Sequence, residues 1–142
     1  MAAFNKFNQF VVDVQSKVHN LASDSLKVLL TNVAPVAANA VKADLTEISA
    51  GNGYTAGGNA AAFTSLTQTG GVAKLVLADP ATWTASGGSI GPFRYAVLYN
   101  DTPTSPADPL IGWWDYGSAV TLASGEQFVV DLDQTNGVFT LQ

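Results

Sequence analysis

Asp13, Ser16 and His19 have the residue types of a nucleophilic triad: an acid to orient, a hydroxyl to attack and an imidazole to accept its proton. Spaced by threes, they would lie along one helix, yet nothing beside them supplies the backbone donors of an oxyanion hole. His19 is the only histidine and cysteine is absent, so neither a usual zinc set nor a thiolate nucleophile can be assembled. Two glycine motifs fit known patterns literally. Gly51-Asn-Gly53-Tyr-Thr-Ala56 matches the dinucleotide form GxGxxA, and Gly87-Gly-Ser89-Ile-Gly91 matches the nucleophile elbow GxSxG. Each lacks its context: Gly57-Gly58 stand where a phosphate-binding helix should begin, and Pro92 follows the serine motif, with His19 before it rather than after. Asp131 and Asp133 would share a strand face and could bind calcium or act as acid and base, but no third ligand or catalytic partner accompanies them. Asn100-Asp101-Thr102 is formally a glycosylation acceptor, made irrelevant by the lack of a signal-peptide pattern in MAAFNKFNQF. These residues predict no enzyme, no cofactor and no metal site.

The elements that would position them read as mainly β. Phe4, Phe7, Val11, Val14, Val18 and Leu21 recur at spacings of three and four, predicting an amphipathic helix over 4–21 whose stripe seals a core or docks on a partner. About eight short strands follow, at 26–31, 63–69, 72–78, 81–85, 93–99, 110–116, 126–133 and 138–142. Between the first two lies an Ala-, Asn- and Gly-rich excursion, 32–58. Gly70-Gly71 suits a two-residue hairpin turn that sets Leu66 against Leu75 and Thr64 against Leu77. A closing hairpin is expected around residues 134–137, with Leu132 beside Phe139 and Val130 beside Leu141. With no helical crossover between strands, the pattern predicts a single domain, 1–142, built as an antiparallel β-sandwich or jelly-roll-like barrel with one N-terminal helix.

The densest stretch, Pro92–Gly117, reads as a long-looped hairpin. Closing it at Tyr99 and Leu110 pairs Val97 with Gly112, Tyr95 with Trp114 and Phe93 with Tyr116 on one face, and Ala96 with Trp113 on the other. That register sets Arg94 directly opposite Asp115, an ion pair that a one-residue slip would undo. It makes the aromatics mostly core and leaves the tip, Asn100, Asp101, Thr102 and Pro103, available for recognition.

Composition limits the partners. The net charge of −5 and six scattered cations disfavour nucleic acid, and no apolar run is long enough to cross a membrane as a helix. Only 12% of residues are charged and 47% are hydrophobic, a balance that fits surface hidden in an assembly and equally a small β domain.

The segments FNKFNQFVVDVQSKVHNLASDSLKVLLTN, NGYTAGG and GGSIGPFRYAVLYNDT with PLIGWWDYG resemble a family of small proteins from tailed bacteriophages, and the similarity runs nearly end to end. The resemblance implies a virion structural component, a capsid decoration or cement protein on the outside of the shell that clamps neighbouring major capsid subunits. It implies a protein made in the host cytoplasm, placed on the capsid surface and assembled there as a dimer or trimer, and it carries no catalytic or ligand positions. The contact candidates are Phe4 and Phe7 of the expected helix, the 32–58 excursion and the tip residues Asn100–Pro103. An alternative is a tail- or fibre-associated module in which Trp113, Trp114, Tyr95 and Tyr116 stack on host saccharides; a hydrolase using Asp131, Asp133 or Glu126 has least support.

Overall fold

The computed structural model describes residues 2–142. Within them the strands are β1 (Asn5–Lys6), β2 (Leu26–Thr31), β3 (Asn59–Ala60), β4 (Phe63–Thr69), β5 (Val72–Leu77), β6 (Trp83–Thr84), β7 (Ile90–Asn100), β8 (Leu110–Leu122), β9 (Gln127–Phe128) and β10 (Phe139–Leu141). One α-helix, α1 (Phe10–Gln15), lies between β1 and β2. The strands form a five-stranded sheet in the order β1-β8-β7-β2-β3, a three-stranded sheet in the order β10-β5-β4, and the pair β6-β9, every pairing antiparallel. The result is sandwich-like and is not closed into a barrel.

Strands β2 and β7 sit in the middle of the larger sheet and are apolar on both faces, so each face needs a cover. On the inner face, Val28, Leu30, Ala96 and Leu98 pack with Leu75 and Leu77 of the smaller sheet. On the outer face, Leu29, Val97, Tyr99 and Leu110 are joined by Phe7 and lie under Leu45 of the 32–58 excursion. That excursion is fastened through Glu47, whose Oε1 accepts from the Tyr54 hydroxyl at 2.7 Å and from Gly57 N at 2.6 Å. Tyr99 donates to the Gly57 carbonyl at 2.6 Å. Burial raises the pKa of both tyrosines above the ordinary range, so both keep the proton these bonds require.

The N-terminal helix is present but spans six residues instead of 4–21. Its stripe residues Phe4 and Phe7 flank β1, whose Asn5 and Lys6 pair with Trp113 and Gly112. An odd spacing in an extended chain sends side chains to opposite faces: Phe4 lies against Trp114 and Phe139, while Phe7 meets Trp113. Gly112 is the close approach that permits this, since a Cβ there would collide with the Phe4 ring. The helix ends after Gln15, with Lys17 in the left-handed region at φ 63°. Tertiary pairing and aromatic burial outweigh the helical spacing of 4 and 7.

The central hairpin forms, one residue out of the expected register. Tyr99 pairs with Leu110, but Leu98 pairs with Gly112, Val97 with Trp113 and Ala96 with Trp114. Ile111 is the extra residue of a β-bulge, and beyond it the two tryptophans exchange faces relative to the sequence expectation. A second break follows, because Tyr95 pairs with Asp115 while Phe93 pairs with Val120, so β8 arches outward over 116–119. Arg94 and Asp115 are therefore not directly opposite, yet they form a two-pronged pair, Nε–Oδ1 at 2.7 Å and Nη2–Oδ2 at 2.9 Å. The long guanidinium side chain spans the offset, and Asp115 Oδ1 also accepts from Gly117 N at 2.8 Å. The pair thus braces the base of the arch.

The Gly70-Gly71 turn has both φ values positive, at 60° and 85°, and Leu66 does pair with Leu75. A bulge between Phe63 and Ser65 gives Leu77 to Phe63 rather than Thr64. The expected closing hairpin does not form. Phe139, Thr140 and Leu141 pair with Leu75, Lys74 and Ala73 of β5, and only Gln127–Phe128 remains extended from the expected 126–133 strand, paired with β6. Local spacing cannot distinguish a neighbour in sequence from a distant strand with an open edge.

Gly58 has φ +75°, and a Cβ there would overlap the Val28 carbonyl group, well inside van der Waals contact. Gly58→Ala is expected to lower unfolding stability by about 3 kcal/mol or more in urea titrations. Gly87→Ala, where the space is open, is expected to cost less.

Candidate functional site

The loop joining β7 to β8, residues 101–108, is held at its base by hydrogen bonds and one ion pair. Asp101 N donates to the Ser25 carbonyl at 2.8 Å, Thr102 Oγ1 accepts from Ser25 N at 2.8 Å, and Asn100 N donates to the Pro109 carbonyl at 3.0 Å. Asp101 also forms an ion pair with Lys27 at 2.9 Å. Asn100, a predicted contact residue, is fully buried. Its Oδ1 accepts from Thr102 N at 3.1 Å, which fixes the amide so that Nδ2 donates to Asp24 Oδ2 at 2.7 Å and faces His19 Nδ1 at 3.1 Å.

His19 is therefore the acceptor through Nδ1, with its proton on Nε2. Its ring is buried, with Phe10 edge-on at 5.2 Å. Burial lowers its pKa, partly opposed by the charges of Asp13 and Asp24. Protonating Nδ1 would also turn one donor against another. Asp13 is buried too and accepts from Gln9 Nε2 at 3.0 Å, whereas Ser16 bonds back to the Val12 carbonyl at 2.8 Å. Ser16 is thus tied to its own helix and does not bond to His19.

Of the other predicted contacts, Phe7 is fully buried and Phe4 half-buried, while Asp101 and Thr102 are exposed and Pro103 half-exposed. Phe7 and Asn100 organise the interior instead of facing a partner, and the surface part of the predicted tip is Asp101–Pro103. The exposed side of the loop runs on through Thr104, Ser105, Pro106 and Ala107.

The two glycine motifs pack against each other. Asn52 Nδ2 donates to the Ser89 carbonyl at 3.0 Å, and Ser86 N donates to the Asn52 carbonyl at 2.9 Å. Gly51 and Tyr54 close a tight turn on themselves, and the strand β7, not a helix, follows Ser89. Asp133 caps a turn, accepting from Thr135 N at 2.9 Å and Asn136 N at 2.7 Å, while Asp131 stays exposed. Among the described residues no three acidic, histidine or cysteine side chains converge as a metal set would require.

Sequence reasoning missed a groove of about 500 Å³ between the inner face of the larger sheet and residues 128–138. Phe93, Trp114, Tyr116 and Phe128 line it together with Arg94 and Asp131. The aromatic density was visible in the sequence, but the bulge at Ile111 decides that Trp114 points here and Trp113 does not. Compared with protein-family models, curated proteins and solved structures, the chain matches none.

The unfolded state binds a proton at His19 near pH 6.5, and the folded state only at lower pH. Stability is therefore complete above that value and falls as pH drops below it. Asp44, Asp115 and Asp133 are held below the ordinary carboxylate range by backbone donors at Ala40 and Val41, by Arg94, and by Asn136, so their contributions are lost at lower pH still. Urea midpoints measured from pH 7 to pH 5 are expected to fall for the native chain and to fall less for His19→Gln.

Proposed function

We propose that this chain is a non-enzymatic structural protein of a tailed-phage virion, a capsid decoration protein that sits on the outer shell and clamps neighbouring major capsid subunits. The resemblance of its N-terminal, NGYTAGG and hairpin segments to small phage proteins motivates the reading. The observation that carries it is the 101–108 loop: an exposed, mostly uncharged tip whose base is fixed by Asn100, Thr102 and the Lys27–Asp101 pair. A preordered loop loses little conformational entropy on docking, and many such contacts across a lattice add through multivalency. The double-covered sheet suits a module that must stay folded outside a cell.

Purified chain added to phage heads assembled without it is expected to co-sediment with them and to raise the temperature at which they release DNA. Thr104→Glu with Ser105→Glu should weaken co-sedimentation about tenfold or more while leaving the unfolding midpoint unchanged. Heads that neither bind the chain nor gain heat resistance would end this reading.

The groove favours a second reading, a tail- or fibre-associated module that binds host saccharide. Tyr116 is 59% exposed at its wall, beside Trp114, and aromatic faces of this kind stack on sugar rings. Binding on a glycan array that disappears in Tyr116→Ala, with the circular dichroism spectrum kept, is the expected result under this reading; a blank array removes it.

A further inference from the structure

We propose that β4 is a docking edge for a second copy of this chain, joining two three-stranded sheets into one across a twofold axis at Leu66. Strand β4 is the outer strand of its sheet, and at seven residues it is the longest of the strands that end a sheet. Natural edge strands are blunted by charge, proline, shortness or a strong bulge. The other edges follow that rule: β1 and β3 have two residues each, β10 has three, and β8 beyond its contact with β1 is broken by the 116–119 arch and carries Asp115. By contrast β4 reads FTSLTQT, without charge or proline, inside a stretch from Ile48 to Ala73 that contains no charged residue. Its one irregularity lies at its start, between Phe63 and Ser65.

Geometry selects the occupant. The two-residue turn makes Thr69 and Val72 exchange hydrogen bonds, so the backbone groups of Thr69, Thr67 and Ser65 are directed to β5. Those of Leu66 and Gln68 are directed to the open side. An antiparallel twofold partner centred on Leu66 matches this parity: Leu66 faces its own copy, Gln68 faces Thr64 of the other chain, and Ser65 faces Thr67. The central pair then presents the outward N–H and C=O groups of Leu66 on each chain to the other. Leu66 pairs with buried Leu75 and so lies on the inner face, where it is 42% exposed and Phe63 41%. Facing copies would cover these apolar surfaces across the axis. Two chains of net charge −5 can approach here because the edge brings no like charges together. An antiparallel edge pairing closes as a twofold dimer and leaves only the three-residue β10 at each end of the joined sheet.

Sedimentation velocity across micromolar concentrations is the direct test. The native chain is expected to be dimeric, and Leu66→Lys, which places like charges on the axis, should raise the dissociation constant about tenfold or more. Leu66→Pro removes only an outward N–H and should do the same with an unchanged circular dichroism spectrum. Because the chain has no cysteine, a single introduced thiol reports the register. Leu66→Cys is expected to oxidise rapidly to a covalent dimer, since Cα atoms of facing residues lie about 5.5 Å apart. Thr69→Cys, displaced along the strand from its own copy, should form no covalent dimer under the same oxidant. A monomeric native chain, a dimer that survives both Leu66 substitutions, or equal cross-linking from the two positions would overturn the proposal. The interface does not depend on the particle reading: a chain that dimerises through β4 and ignores phage heads loses only the latter.

Discussion

A strand that is apolar on both faces cannot be stable until two separate layers have closed over it, and β7 imposes that condition on the whole molecule. From Ala96 to Asn100 every residue is buried, with alternate side chains committed to opposite cores. The smaller sheet covers one side. The other has no sheet, so an irregular excursion must serve, and irregular backbone laid over a core has to satisfy its own polar groups. Glu47, Tyr54 and Tyr99 do this by gathering backbone groups of Leu30 and Gly57 into one network. The Ala-, Asn- and Gly-rich composition of 32–58, which resembles linker in the sequence, is what permits so close an approach to β2.

The parts of this fold that were legible in the sequence are those whose signal is local. Leu26–Thr31 reads as a central strand because four of its six residues are large aliphatics, and Gly70-Gly71 fixes a hairpin because glycine accepts two positive φ values without strain. Opposed charges at Arg94 and Asp115 correctly indicated proximity. They did not indicate register, because a guanidinium reaches across an offset as readily as straight over. What was illegible depended on distant partners: Phe4 and Phe7 fit a helix until Trp113 and Trp114 provide opposite faces to fill, and Phe139 fits a local hairpin until β5 presents a free edge. The turn of chain between β7 and β8 was visible as a loop. That Asn100, the last residue of β7 before it, is an interior strut follows only once His19 and Asp24 are brought beside it.

Motifs that imitate catalysis acquire a structural explanation by the same route. The Gly51–Ala56 and Gly87–Gly91 sequences are glycine-rich because two loops cross, with Asn52 lying where a side chain on Gly88 would collide. The triad-like spacing of Asp13, Ser16 and His19 dissolves: Ser16 bonds back to its own helix and Asp13 to Gln9, while His19 and Asp24 fasten the region after α1 to Asn100 at the end of β7. Polar residues here organise loops over a two-sided core, while the surfaces left open are an edge of backbone, an aromatic groove and one braced loop.

The position of Phe4 bears on the order of events during synthesis. Its ring meets Trp114 and Phe139, and Asn5 pairs with Trp113. All of these partners lie more than a hundred residues later in the chain. The segment made early must therefore wait, unpaired, for strands made late, and Phe4 and Phe7 lack their aromatic partners until those strands arrive. A fold closed in this way completes only once its late strands are present, and its contacts are predominantly long-range, the arrangement associated with slow folding among small domains.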